Sequence, residues 1–169
     1  MKEELDIGES KYVLSTQEFA DGTKEEGYRY LTEFSFETLP VWNYLISGVE
    51  MEKEIVMAQG SNQIAVNYHL KNRGQKEATL CVTPFFQFEP KGEDLKEDKI
   101  FSRQEQKITD GKYALFFETN GKVEEFQKKK ETYFYRYDEC DGRRENGTAG
   151  AVYQIKKRVN PGEETDLTV

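Results

Sequence analysis

The chain has 169 residues and carries 32 Asp and Glu against 24 Lys and Arg. With that many carboxylates, an acid and base pair for glycosidic bond cleavage can be drawn almost anywhere, so such pairs are uninformative by themselves. His69 is the sole histidine. It falls in line with Asn67 and Lys71 and opposite to Val66, Tyr68 and Leu70, the position of a partly exposed strand histidine rather than a catalytic one. Cys81 and Cys140 stand far apart without a close Cys or His, which gives neither a disulfide framework nor a zinc ligand set. Asp138-Glu139-Cys140-Asp141-Gly142 with Glu145 resembles a calcium loop only superficially, because the alternating ligands of such a loop are missing. Nucleophile elbows, phosphate loops and dinucleotide fingerprints are absent from the sequence. No cofactor and no metal are expected.

Aromatic residues offer a different chemistry, since sugar rings stack their apolar C–H faces on aromatic rings. Trp42 and Tyr44 share a face just after Pro40, and Phe85, Phe86 and Phe88 precede a long polar interval. Tyr133, Tyr135 and Tyr137 alternate along one run. Trp42, Tyr44 and Phe88 are the candidate carbohydrate contacts. The tyrosines are read first as core, because the chain is poor in Leu and Ile. Trp42 is weighed between core and a sheet rim, with core slightly favoured.

The elements that must position these rings are strands. From Tyr28 the face Tyr28, Tyr30, Thr32, Phe34, Phe36 alternates with Arg29, Leu31, Glu33, Ser35, Glu37. Val41–Ile46, Val49–Met57, Ile64–Leu70, Ala78–Thr83, Thr132–Tyr137 and Ala151–Val159 continue in the same period, punctuated by turn residues. Lys53 lies on the apolar side of its run between Met51 and Ile55, where its stem can cover apolar neighbours while its ammonium meets a carboxylate. Asn120-Gly121 between Lys112–Thr119 and Lys122–Gln127 is the strongest hairpin signal. Glu89–Lys99 reads as a loop, and no segment sustains a helical period. Residues 1–10 read as an unstructured start and 11–169 as one all-β domain, an antiparallel β-sandwich.

Composition supports a packed domain despite a mean hydropathy of −0.84, because 10 Tyr, 11 Phe and 1 Trp bury large area on pleated surfaces. The net charge of −8 leaves no general attraction for phosphate backbones or anionic lipid. The one basic run, Lys128-Lys129-Lys130, is followed by Glu131 and reads as a solvated strand edge. Neither nucleic acid nor membrane is an expected partner. The acidic start Met1-Lys2-Glu3-Glu4 precedes no apolar signal region, which predicts a cytoplasmic, reduced chain.

Between Phe34 and Asn72 the sequence becomes specific. Phe34 and Phe36, Pro40-Val41-Trp42 with Tyr44, Gly48-Val49, Glu52-Lys53, Met57, Gly60 with Asn62, and Tyr68 together resemble the N-terminal domain of bacterial and archaeal-type glycogen debranching enzymes, the amylo-α-1,6-glucosidase group. Weaker similarity recurs at Leu80–Phe88, Tyr133–Tyr137 and Val159 to Pro161-Gly162. The sequence departs from the group at Gln87-Phe88-Glu89-Pro90 and along Asp138–Asn146, where the group tends to carry arginine-containing polar motifs. The resemblance implies a supersandwich of two large antiparallel sheets, as in mutarotase-like domains. It implies a helical catalytic domain beyond Val169 that would hydrolyse the α-1,6 linkage. No catalytic residue is assigned within this chain. The partners it implies are that catalytic domain and an α-glucan such as glycogen or maltooligosaccharide. Two alternatives stand beside it: an autonomous carbohydrate-binding module, and a small sugar epimerase. The epimerase suffers from the single, badly placed His69, since such chemistry needs an acid and a base.

Overall fold

A computed structural model of the chain describes residues 1–90 and 93–169, except the side chains of Lys128 and Glu139. Lys128 of the basic run, Glu139 of the acidic loop and residues 91–92 of the polar interval thus lie outside it. The chain opens with a hairpin, β1 (Lys2–Ile7) and β2 (Ser10–Val13), then a smaller one, β3 (Thr16–Glu18) and β4 (Lys24–Glu26). One turn of 3-10 helix at Gly27–Tyr30 leads into a meander of β5 (Leu31–Phe36), β6 (Pro40–Ile46), β7 (Val49–Met57) and β8 (Ile64–Asn72). After β9 (Ala78–Thr83) come three short strands, β10 (Ser102–Gln104), β11 (Lys107–Thr109) and β12 (Ala114–Phe116). The long strands β13 (Lys122–Phe134) and β14 (Asn146–Val159) flank a short helix α1 (Arg136–Cys140), and β15 (Glu164–Thr168) ends the chain.

Two five-stranded antiparallel sheets result, ordered β13-β14-β9-β1-β2 and β15-β8-β7-β6-β5. Leu5, Leu80, Val82 and Ile155 from the first meet Met51, Tyr68, Leu70 and Leu167 from the second in one buried cluster, so the expected all-β antiparallel sandwich is what forms. Period-two alternation survives well in β1, whose burial alternates residue by residue. Among the described residues no helix is long and apolar enough to cross a membrane.

Three local expectations are corrected. Residues 1–10 are not an unstructured start: β1 is an interior strand between β9 and β2, and Leu5 is fully buried. Glu3 points inward too, to the buried Tyr68. Asn120-Gly121 is not a hairpin turn, because β12 pairs with β11 and β13 with β14. A Cβ at Gly121 would collide with Ile155 Cγ2 and stand 2.7 Å from Leu167 Cδ1, so glycine is needed for close approach of sheets rather than for turn chemistry. Asn120 instead ties its side chain to β15 through Thr168 N and Asp166 O. The run Thr132–Tyr137 stops being strand at Phe134, and Arg136 begins α1.

Candidate functional site

The sequence-predicted contacts divide between two places. Cross-strand register puts Leu167, Tyr68, Lys53, Trp42 and Phe34 in one row across the inner face of the second sheet. The Lys53 ammonium meets the buried Glu3 carboxylate at 2.5 Å, and the Tyr68 hydroxyl donates to the same oxygen at 2.9 Å. Burial and the Glu3 charge push the Tyr68 phenol well above its usual range. Lys53 also sits over the Trp42 ring at 5.7 Å from the centroid, while Phe34 tilts against Trp42 at 5.2 Å. Trp42 is half-buried and outside the fully buried core, so the slight preference for a core tryptophan is corrected. Tyr44 is half-buried one row away and packs against the core. Its phenol too is raised by burial.

Phe88 belongs to another cluster. Its ring stacks on Phe86 at 5.5 Å and meets Phe101 nearly edge-on at 5.8 Å. Its backbone takes a left-handed φ of 55°, unusual for a bulky residue. The Phe88 carbonyl accepts from Lys99 at 2.6 Å, and Lys99 also pairs with Glu89 at 2.9 Å and Asp110 at 2.6 Å. Lys99 holds the Asp110 carboxyl down to about 2. This ion cluster anchors the polar loop, and Phe88 serves its packing.

A large cleft lies where sequence reasoning placed core. It measures about 950 Å³ and is walled by the β3–β4 hairpin, Tyr28, Phe85, the end of β13 and α1. Tyr133, Tyr135 and Tyr137 line it together, and the expectation that they are core is overturned: none belongs to the buried cluster. Tyr133 forms the floor, stacked on Phe19 at 5.6 Å and edge-on to Phe85 at 6.2 Å. Its hydroxyl donates to Glu131 at 3.2 Å, and burial pushes the phenol far up. The Tyr135 ring lies over the backbone at Gly147, where a Cβ would stand 2.8 Å from it. Tyr28 is pinned by its amide on Thr16 Oγ1 and its hydroxyl on Glu26.

The charged side chains of the walls are matched. Arg136 grips both Glu18 oxygens at 2.7 and 2.8 Å, which holds the Glu18 carboxyl below its usual range. Glu25 pairs with Lys2 and accepts from Gln17. Glu26 pairs with Arg29 at 2.7 Å and Asp138 with Arg143 at 2.9 Å. The alternating tyrosines were the signal for this cleft. What the sequence lacked was the β3–β4 hairpin docking on β13 through the Phe19–Tyr133 bridge.

Fold and clefts define a β-sandwich domain without an assembled acid, base and nucleophile constellation in the sites described. The sequence matches the family described as glycogen debranching enzyme N terminal over residues 1–165, and the chain belongs to that family. The match begins at residue 1, in keeping with β1 as an integral strand. A stretch of 61 residues is also 36% identical to the membrane protein insertase YidC of Thiobacillus denitrificans, covering 36% of this chain and 11% of that protein. The chain thus spans about a tenth of that relative's length.

Proposed function

We propose that the chain is the non-catalytic N-terminal domain of a debranching-type glycoside hydrolase acting at α-1,6-glucosidic linkages. It holds the catalytic domain and contacts α-glucan. The observation that supports this reading is the unfinished inner face of the second sheet. Along β7 and β8 the inward residues run from the buried Val49, Met51, Tyr68 and Leu70 to Met57 and Ile64, which are 75% and 59% exposed. On the same face Phe34 and Phe36 of β5 are 53% and 68% exposed. Contiguous apolar surface of this kind marks a contact with another domain. Trp42 and Tyr44 stand at its inner margin, where a glucan bound across the junction would meet them. Two unbridged cysteines suit a reducing, cytoplasmic setting, and the acidic charge argues against nucleic acid and anionic membrane.

The reading frame past Val169 and the activity of the parts test this. Several hundred downstream codons of helical pattern, producing a domain that binds this chain and loses affinity to the Phe36→Glu variant, support it. The isolated chain should release no reducing sugar from a branched dextrin. A stop codon directly after Val169, or dextrin hydrolysis by the repurified chain alone, overturns it.

A further inference from the structure

We propose that the tyrosine-lined cleft between the β3–β4 hairpin, β13 and α1 is an oligosaccharide site that takes a neutral α-glucan chain, a second glucan contact separate from Trp42 and Tyr44. The choice of α-glucan rests on the debranching reading, whereas the choice of a neutral sugar rests on the cleft itself.

The volume, about 950 Å³, is at the upper end of ligand pockets, which run to roughly 1,000 Å³, so there is room for a chain of rings. The rings that bound it are partly open to solvent: Tyr28 and Tyr137 are exposed, and Tyr135 is 43% exposed. Each of these tyrosines offers an apolar face with a hydroxyl at its edge, the amphipathic form suited to a ligand that is apolar on its C–H faces and polar around its rim. Tyr135 rests on Gly147 with one face supported, and Tyr133 is clamped between Phe19 and Phe85. These rings are held in place before a ligand arrives, which lowers the ordering cost of binding.

Charge decides what kind of ligand fits. Glu18, Glu25, Glu26 and Asp138 each already have a cationic partner. The wall cations Lys24 and Arg136 both face Glu18. A cationic ligand would meet carboxylates that are already neutralised. An anionic one would meet Lys24 and Arg136 already neutralised by Glu18, within a chain of net charge −8. A polyhydroxylated neutral ligand needs no unpaired charge, and paired carboxylates and guanidinium groups keep spare acceptor and donor positions for its hydroxyl groups. The carboxylates here bind and orient; no proton transfer is assigned to them.

The test is a titration of the isotope-labelled 169-residue chain with maltoheptaose, and in parallel with cellohexaose, followed by amide chemical shifts. Saturable shifts confined to residues 16–28 and 133–138 are expected with maltoheptaose. Tyr135→Ala should weaken binding about tenfold, in the range of one lost aromatic contact, while Tyr135→Phe retains it. Tyr135 is partly exposed, so the Ala variant is expected to fold, and its unperturbed amide spectrum away from the cleft checks this. Tyr28→Ala provides a second variant on the opposite wall with the same expected loss. Failure of both sugars to shift the cleft residues overturns the proposal and leaves the debranching reading intact. Shifts centred on the Trp42 indole with a silent cleft overturn it likewise. Saturable binding of cellohexaose with indifference to maltoheptaose overturns the α-glucan assignment and counts against the debranching reading itself.

Discussion

Replacing Lys53 by Met should destabilise the domain through Glu3 rather than through any lost apolar contact. Glu3 is 5% exposed and has two polar partners on its carboxylate, the Lys53 ammonium and the Tyr68 hydroxyl. Methionine keeps the stem of Lys53 but leaves a buried anion with only a neutral donor. Breaking a buried pair by removing one partner costs about 3–5 kcal/mol. The Lys53 side chain is 17% exposed, so water partly solvates its ammonium and the lower end, about 3 kcal/mol, is expected. With a urea slope of about 1–3 kcal/mol per M, the midpoint should fall by about 1–3 M. Lys53→Ala adds the loss of contact with Trp42 and Tyr68. The double variant Lys53→Met with Glu3→Leu should recover most of the deficit, since replacing both members of a buried pair with apolar groups is often neutral or stabilising. An unchanged midpoint in Lys53→Met, or a double variant less stable than the single one, would refute the reasoning.

Deleting residues 1–8 removes an interior strand and should abolish the dispersed amide spectrum; a folded truncation would show that the first sheet closes without β1. Gly121→Ala should cost about 1–3 kcal/mol by overpacking against Ile155 and Leu167, read as a lower denaturant midpoint, whereas a turn-only role at an ordinary φ would leave it nearly silent. Tyr68, Tyr133 and Tyr153 all have phenols raised by burial, Tyr153 to about 12. Their unfolded forms ionise near pH 10 while the folded forms stay neutral. Stability from this source is complete below about pH 10 and is lost as pH rises through the folded values, with the Tyr153 share gone above about 12. A melting temperature that stays flat from pH 9 to 11.5, values bracketing that onset, would contradict this.

The middle strands of the second sheet were legible in the sequence, since alternation in Val49–Met57 and Ile64–Leu70 needs only local backbone geometry and one buried face. By contrast β15 was not, and Tyr28 and Tyr30, in line with the β5 alternation, stand in 3-10 helix instead. The sequence also placed Lys53 facing inward with a carboxylate to meet, and it carried the family resemblance in Phe34–Asn72. Tertiary structure alone supplied the identity of that carboxylate, because Glu3 lies 50 residues away on the opposite sheet. It alone decided that Asn120-Gly121 joins no hairpin: turn chemistry concerns two residues, whereas strand pairing is settled by the packing of β13 along most of β14. The same holds for the tyrosines. Their alternation is visible in the sequence, but only Tyr133 belongs to β13 and Tyr137 stands in α1, and whether a ring is core or cleft wall depends on what covers that face of the sheet. There the cover is a short hairpin whose six strand residues, Thr16–Glu18 and Lys24–Glu26, contain no apolar side chain to announce where they dock.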